Sequence, residues 1–381
     1  MTKDKINKSR RRLIQSAGTL PIAVSTPIAF GDDHQKNYKK HDAFSLDEIY
    51  PRWKTNSAKW DLQTKRFPGQ KIHAAMGIAD LDFRTAPVIT EAITRRVLHE
   101  NWGYILTPDS YYESIINWIK KRYGEEISRD QLLLATGVLP AIQSAIRAFC
   151  PKNSKVVLNS PGYSELYVNI RKAHCVPDES PLIKKDGRYH LDFDDLSKRL
   201  GKDDVHAFLL VNPHNPTGSF SDKSVIDKLA HGLSRFPNVA ILSDEIYGRL
   251  IFEKKEFPTF LNYPDLYERL IVLDGWSKTY AMTGWRLGWG IWPEKLLDRM
   301  FKFCVNNHSC VNAAIQFGAI AALDGPDDTI NNMVDKFILR KNLMCDGLKK
   351  IPGIKFIEPK SGFFVFPNVE ETGMNGDQFA E

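Results

Sequence analysis

Cysteine is scarce in this sequence and poorly placed for structural chemistry. Cys150, Cys175, Cys304, Cys310 and Cys345 form no CxxC pair and no metal-ligand spacing. An odd count spread this widely argues against a disulfide framework, and each reads as a small buried apolar residue. Low-complexity tracts and internal repeats are also lacking, which argues against fibrous and solenoid architectures. So is excess charge outside the N-terminus. The formal charge is +6, but residues 1–31 hold Lys3, Lys5, Lys8, Arg10, Arg11 and Arg12 against Asp4, which leaves the remaining chain near +1. A nearly neutral body argues against a nucleic-acid-binding protein.

The chain does have the composition of a soluble globular protein, 43% hydrophobic and 26% charged over 381 residues, long enough for two domains. The N-terminus stands apart. SRRRLIQ (9–15) leads into SAGTLPIAVSTPIAFG, which is too polar and too broken by Pro21 and Pro27 for a stable membrane span. A basic start, a weak apolar stretch and small residues before Asp32 resemble a twin-arginine export signal over residues 1–31. That reading places the protein in the periplasm. The alternative is a basic arm on a cytoplasmic protein.

The folded part begins near Asp42. APVITEAITRRVLHE (86–100) and YYESIINWIKKRYG (111–124) have apolar residues at helical spacing, the first with Pro87 near its start and the second with Gly124 as a stop. Short apolar runs then recur: QLLLA (131–135), KVVLN (155–159), HAFLLV (206–211), VAILS (239–243), LIVLD (270–274) and LGWGIW (287–292). Several are apolar on both faces, as in strands of a covered parallel sheet, and helical segments separate most of them. The expected fold class is α/β, a mainly parallel sheet with helices on both faces, plus a smaller α+β domain.

The residues just after each run carry the chemistry. TGVLPA comes after the first, SPGYSELY after the second, NPHNPTG after the third, DEIY after the fourth and GWSK after the fifth. Polar, Gly/Pro-rich or ionisable groups thus stand at five strand ends, the edge where open α/β sheets bind ligands. Lys278 sits at that edge, where desolvation and the neighbouring cation Arg286 would lower its pKa and free it to form a Schiff base with a carbonyl. Arg286 suits a phosphate, and Ser277 and Thr279 could add hydroxyls. An aldehyde carrying a phosphate suggests pyridoxal 5'-phosphate. Its ring nitrogen needs a carboxylate, for which Asp244 is the candidate. Tyr247 and Asn215 could address the ring oxygen, and Tyr163 could stack on the ring. Backbone amides at Gly137, Val138 and Leu139 would meet the phosphate at a helix N-terminus.

NPHNPTG, SDEIY and SKTYAMTGWRLGW resemble the aspartate-aminotransferase superfamily of pyridoxal-phosphate enzymes, fold type I, over about residues 45–381. The resemblance implies Lys278 as the Schiff-base lysine and acid–base catalyst, Asp244 on the ring nitrogen, Asn215 and Tyr247 on the ring oxygen, Arg286 on the phosphate and Tyr163 on the ring face. It also implies that Tyr104 reaches the phosphate of a neighbouring subunit, hence a homodimer acting on amino and keto acids. The implied domains are an N-terminal part of the small domain (42–85), a large cofactor domain (86–311) and a C-terminal small domain (312–381), which close over substrate.

Two signals conflict. TNSAKWD (55–61), GIADLDFRTAP (77–87) and ATGVLPA resemble the cystathionine β-lyase-like branch, which cleaves carbon–sulfur bonds, whereas SKTYAMTGWRLGW resembles the transaminating branch. Aminotransfer is the leading expectation. A C–S β-lyase and a non-catalytic cofactor-binding relative are the alternatives. Gly275 stands where relatives carry a phosphate-binding hydroxyl. The chain stops at NGDQFAE, a turn entering a helix, before the family's arginine for the substrate carboxylate. That ending is expected to expose Phe363, Phe364 and Phe366, to weaken cofactor binding and to promote aggregation.

Overall fold

The computed structural model describes residues 44–48, 50, 52–253, 255–298 and 310–380. The expected export signal, residues 1–31, lies outside the described residues. The first described helix is α1 (Asp61–Arg66). Helix α2 (Pro87–Val97) starts on proline and buries Ile89, Ala92 and Ile93, the stripe that its spacing predicts. Helix α3 (Asp109–Tyr123) buries Tyr111, Ser114, Ile115, Trp118 and Ile119 and ends at Gly124 in the left-handed conformation.

Next come β1 (Leu132–Ala135), α4 (Val138–Phe149), β2 (Lys155–Ser160), α5 (Ser164–Lys172), β3 (Val176–Pro181), the hairpin β4 (Ile183–Lys185) and β5 (Arg188–His190), and α6 (Phe193–Leu200). They are followed by β6 (Val205–Val211), α7 (Lys223–Leu233), β7 (Ala240–Asp244), β8 (Leu270–Asp274) and β9 (Gly288–Ile291). Strands β1–β3 and β6–β9 form one sheet in the order β1-β9-β8-β7-β6-β2-β3. All six apolar runs are strands of this sheet. Its central members are inaccessible on both faces: Ala207, Phe208, Leu209 and Leu210 in β6, and Ile241 and Leu242 in β7, are at most 2% exposed. Each such large aliphatic or aromatic side chain contributes about 1.5–3 kcal/mol by leaving water.

One strand departs from the expected parallel order. Strand β9 runs antiparallel to both β1 and β8, whereas β3, β2, β6, β7 and β8 run parallel. The link from Asp274 to Gly288 holds the lysine loop and one short 3-10 turn, Thr283–Trp285, with no helix to carry the chain back across the sheet. A parallel return needs such a crossover, so the chain reverses instead. Because β1 and β8 are each antiparallel to β9, they point the same way. The carboxyl ends of β1, β2, β6, β7 and β8 therefore share one edge, and the amino end of β9 joins them there.

Beyond the sheet, α8 (Ala313–Asp324) packs on α2 and α3, and α9 (Asp328–Leu348) comes after it. Residues 354–367, IKFIEPKSGFFVFP, alternate in the way of strands. They supply only the two-residue pair β10 (Lys355–Phe356) and β11 (Pro367–Asn368), after which α10 (Gly376–Ala380) forms the helix expected there. Phe363 and Phe364 are not the exposed faces expected. Their rings pack 5.9 and 5.2 Å from that of Tyr247, and Phe366 is half-buried.

Candidate active site

The shared edge opens into a cavity of about 1230 Å3. Val138 and Leu139 after β1, Tyr163 after β2, Asn215 after β6, Asp244 at the end of β7 and Tyr247 after it, and Ser277, Lys278 and Arg286 after β8 all line it. Residues from five strands thus meet in one crevice, as their sequence context predicts. Gly137 caps the N-terminus of α4 with φ +112°, and a Cβ there would overlap the Arg286 guanidinium. Arg286 itself holds φ +58°, an uncommon conformation for a side chain of its size, and donates to the Thr283 carbonyl at 3.0 Å. The reversal at β9 is what brings it here, since it precedes the strand that pairs with β1. A guanidinium against free helix amides is a ready-made anion site.

Lys278 lies deeper. Its Nζ donates to the Ala79 carbonyl at 2.6 Å and stands 5.9 Å from the Tyr247 ring centre. Burial, partly offset by Asp244 and Asp80, brings its pKa down to about 8. Asp244 is 8% exposed, accepts from the Ile246 amide at 3.2 Å, and is pushed up to about 7 by burial. Such a carboxylate is incompletely compensated until a cation meets it. Asn215 Nδ2 donates to the Tyr247 hydroxyl at 3.5 Å, which brings these two side chains together on the cavity wall. Tyr163 lines the same cavity, and burial raises its hydroxyl's pKa, with Glu165, Arg286 and Asp244 as smaller influences.

Three expectations need correction or placement. Thr279 is buried and lines a separate small cavity, so the hydroxyl residues of this loop that line the main cavity are Ser277 and Thr283, the latter donating to the Ser277 carbonyl at 3.0 Å. Gly275 carries no hydroxyl because it has no room for one. A Cβ would lie 2.7 Å from the Leu287 carbonyl and 3.0 Å from Gly288 Cα, where the chain returns alongside itself. Tyr104 is fully exposed and is not brought to the cavity of its own chain.

Sequence reasoning missed a set of residues at the cavity, of which Lys59, Trp60, Asp80 and Asp82 line it. Arg52 bridges Asp80 and Asp82, and Lys59 Nζ bonds Asp82 Oδ2 at 2.7 Å and the Asp80 carbonyl at 3.0 Å. The Trp60 indole donates to Asp82 at 2.8 Å. Part of the signal was visible in TNSAKWD, which holds Lys59 and Trp60, and in GIADLDF, which holds Asp80 and Asp82.

The family model for "Aminotransferase class I and II" matches residues 74–381. The chain belongs to that family. Among related proteins, an aspartate aminotransferase of Pyrococcus horikoshii is 30% identical over 314 residues, covering 81% of this chain and 78% of that one. A cystathionine beta-lyase of Bacillus subtilis is 26% identical and spans 87% of this chain and 86% of its own. A Clostridium difficile protein, provisionally named an aminotransferase and solved with PLP bound, superimposes with a TM-score of 0.81 at 25% identity, covering 88% of this chain and 87% of that one. Class I and II aminotransferases use pyridoxal 5'-phosphate, and this cavity fits it. The Gly137–Arg286 cradle suits the phosphate, the uncompensated Asp244 the ring nitrogen, and the partly deprotonated Lys278 the aldehyde.

Proposed function

We propose that this chain is a pyridoxal-phosphate-dependent aminotransferase that converts an amino acid to its keto acid. The observation that carries this reading is one cavity holding an amine with a pKa of about 8, a buried acid and a helix-capped guanidinium. When bound, the cofactor supplies an electron sink for the charge left at the substrate Cα. The chain's own residues do the rest. Lys278 would hold the cofactor, and its amine, partly deprotonated near neutral pH, is suited to take the proton from the substrate Cα. Asp244 would keep a proton on the ring nitrogen. Asn215 and Tyr247 would address the ring oxygen, Tyr163 the ring face, and Arg286, Ser277 and the amides of Gly137, Val138 and Leu139 would hold the phosphate.

Assays of amino donors with and without a keto-acid acceptor test this. Stoichiometric keto acid that depends on the acceptor supports it. Borohydride reduction of the loaded protein should fix the cofactor to the peptide containing Lys278, and fixation elsewhere sinks the assignment. A second reading, a C–S β-lyase, is favoured by the 52–82 wall and by the likeness to the cystathionine beta-lyase. There Lys278 takes the same proton and a sulfur group leaves the β-carbon. Ammonia and pyruvate from cystathionine, without any acceptor, would put this reading first.

Two further parts belong to the proposal. The enzyme works as a homodimer in which Tyr104 reaches the partner's phosphate site, which accounts for a tyrosine fully exposed on its own chain. Residues 1–31 direct export after folding, which keeps a cofactor site built from five strand ends intact during passage. Replacing Arg10 and Arg11 by lysine should then hold the protein in the cytoplasm, and wild type found wholly cytoplasmic with its N-terminus uncut removes this part.

A further inference from the structure

Residues 76–82 line the cavity with no strand or helix of their own. Such a segment has carbonyls to satisfy. Here three successive ones each accept from a cation. Ala79 takes Lys278 Nζ at 2.6 Å, Asp80 takes Lys59 Nζ at 3.0 Å and Leu81 takes Arg52 at 3.1 Å. The carboxylates of the same stretch tie it again. Arg52 grips Asp80 through both oxygens at 3.0 Å and reaches Asp82 at 3.0 Å, and Lys59 adds Asp82 at 2.7 Å. Lys59 is only 7% exposed, a degree of burial that a lysine reaches only with such partners.

The loop that carries Lys59 is fixed in turn. Asp61 accepts from the amides of Lys54, Thr55 and Ser57 at 2.8–3.0 Å, which holds Lys54 and Asn56 in the left-handed conformation. Trp53 packs edge-on against Trp60 at 4.6 Å. The whole device converges on one backbone atom, the Ala79 carbonyl that holds the Lys278 amine.

We propose that Arg52 and Lys59 are positioning residues for Lys278. They act through the 79–82 strap by placing the Ala79 carbonyl and by cancelling the charge of Asp80 and Asp82 beside the amine. The inference rests on reading Lys278 as the cofactor lysine. The groups facing Lys278 are the Asp244 and Asp80 carboxylates, the Arg286 guanidinium and the Tyr247 ring. Removing the Lys59 charge leaves Asp80 less compensated, and that charge favours the protonated amine. Removing the Asp80 charge does the opposite.

The test is the pH dependence of Lys278 acylation in the full cofactor-free chain, read peptide by peptide by mass spectrometry. Lys59→Met should raise the midpoint enough to slow labelling at pH 7.5 about threefold, half a pH unit in the fraction of free amine. Asp80→Asn should speed labelling by a similar factor, and Lys59→Arg should stay near wild type. An unchanged midpoint in a folded Lys59→Met, or a shift of the same sign in both variants, overturns the proposal. If Lys59→Met does not fold, Asp80→Asn decides by its direction alone. Borohydride fixation separates the two levels. Cofactor fixed to a lysine other than Lys278 defeats the proposed function, whereas fixation at Lys278 with unmoved midpoints defeats only the strap.

Discussion

At the scale of single residues, Asp244 ties stability to catalysis through one buried proton. Burial raises its carboxyl from 3.8 to about 7, so between those values the folded protein keeps a proton that the unfolded chain has lost. Stability from this group is therefore full below pH 4 and lost as pH rises through 7. Without cofactor, Asp244→Asn should melt a few degrees above wild type at pH 8, with the gap closing near pH 4 in a thermal scan. The same variant should still bind cofactor but lose most turnover, about a hundredfold or more, because an amide cannot hold the ring nitrogen protonated. Near-normal rates would remove Asp244 from its role. Lys278 behaves with the reverse sign. Its pKa falls from 10.5 to about 8, so it adds stability only as pH rises between those values.

At the scale of elements, the site depends on three backbones meeting where β1, α4 and β9 join. Gly137→Ala pushes a methyl into the flexible end of Arg286, which can move, and adds backbone strain at φ +112°. The protein should fold, with cofactor affinity reduced about tenfold or more through the displaced guanidinium, measured by equilibrium titration. Gly288→Ala meets rigid atoms instead. Its Cβ would lie 2.8 Å from Gly137 C and 3.0 Å from Val138 N. Overpacking there should cost about 1–3 kcal/mol, read as a lower urea midpoint even in the absence of cofactor. If Gly288→Ala were as stable as wild type, this account of the junction would fail. The element pattern also shows where sequence reading stops. Strand β3, VPDESP, carries charges and runs along the sheet edge, so no apolar run announced it.

At the scale of the whole molecule, Trp102, Tyr104 and Leu106 are large and exposed on one short segment, and the proposed dimer gives them a partner. Light scattering should find the mass of two chains, and Tyr104→Phe should raise the cofactor dissociation constant severalfold without changing that mass. A monomer that binds cofactor normally would remove Tyr104 from the site. The molecule also divides what was legible from what was not. The sequence by itself determined six of the strands and the polar and ionisable residues after five of them, because a buried run and the turn after it are contiguous, and Lys278, Asp244, Asn215, Tyr247 and Arg286 are local to such turns. It did not determine the direction of β9, the crowding that keeps Gly275 bare, the burial of Phe363 and Phe364 against Tyr247, or the strap. The last of these joins Ala79 to Lys278 across 199 residues. No local pattern encodes a pairing at that separation; only the packing that sets β9 against β1 and the 79–82 segment over the cavity brings those atoms together, and the chemistry of Lys278 comes from that packing.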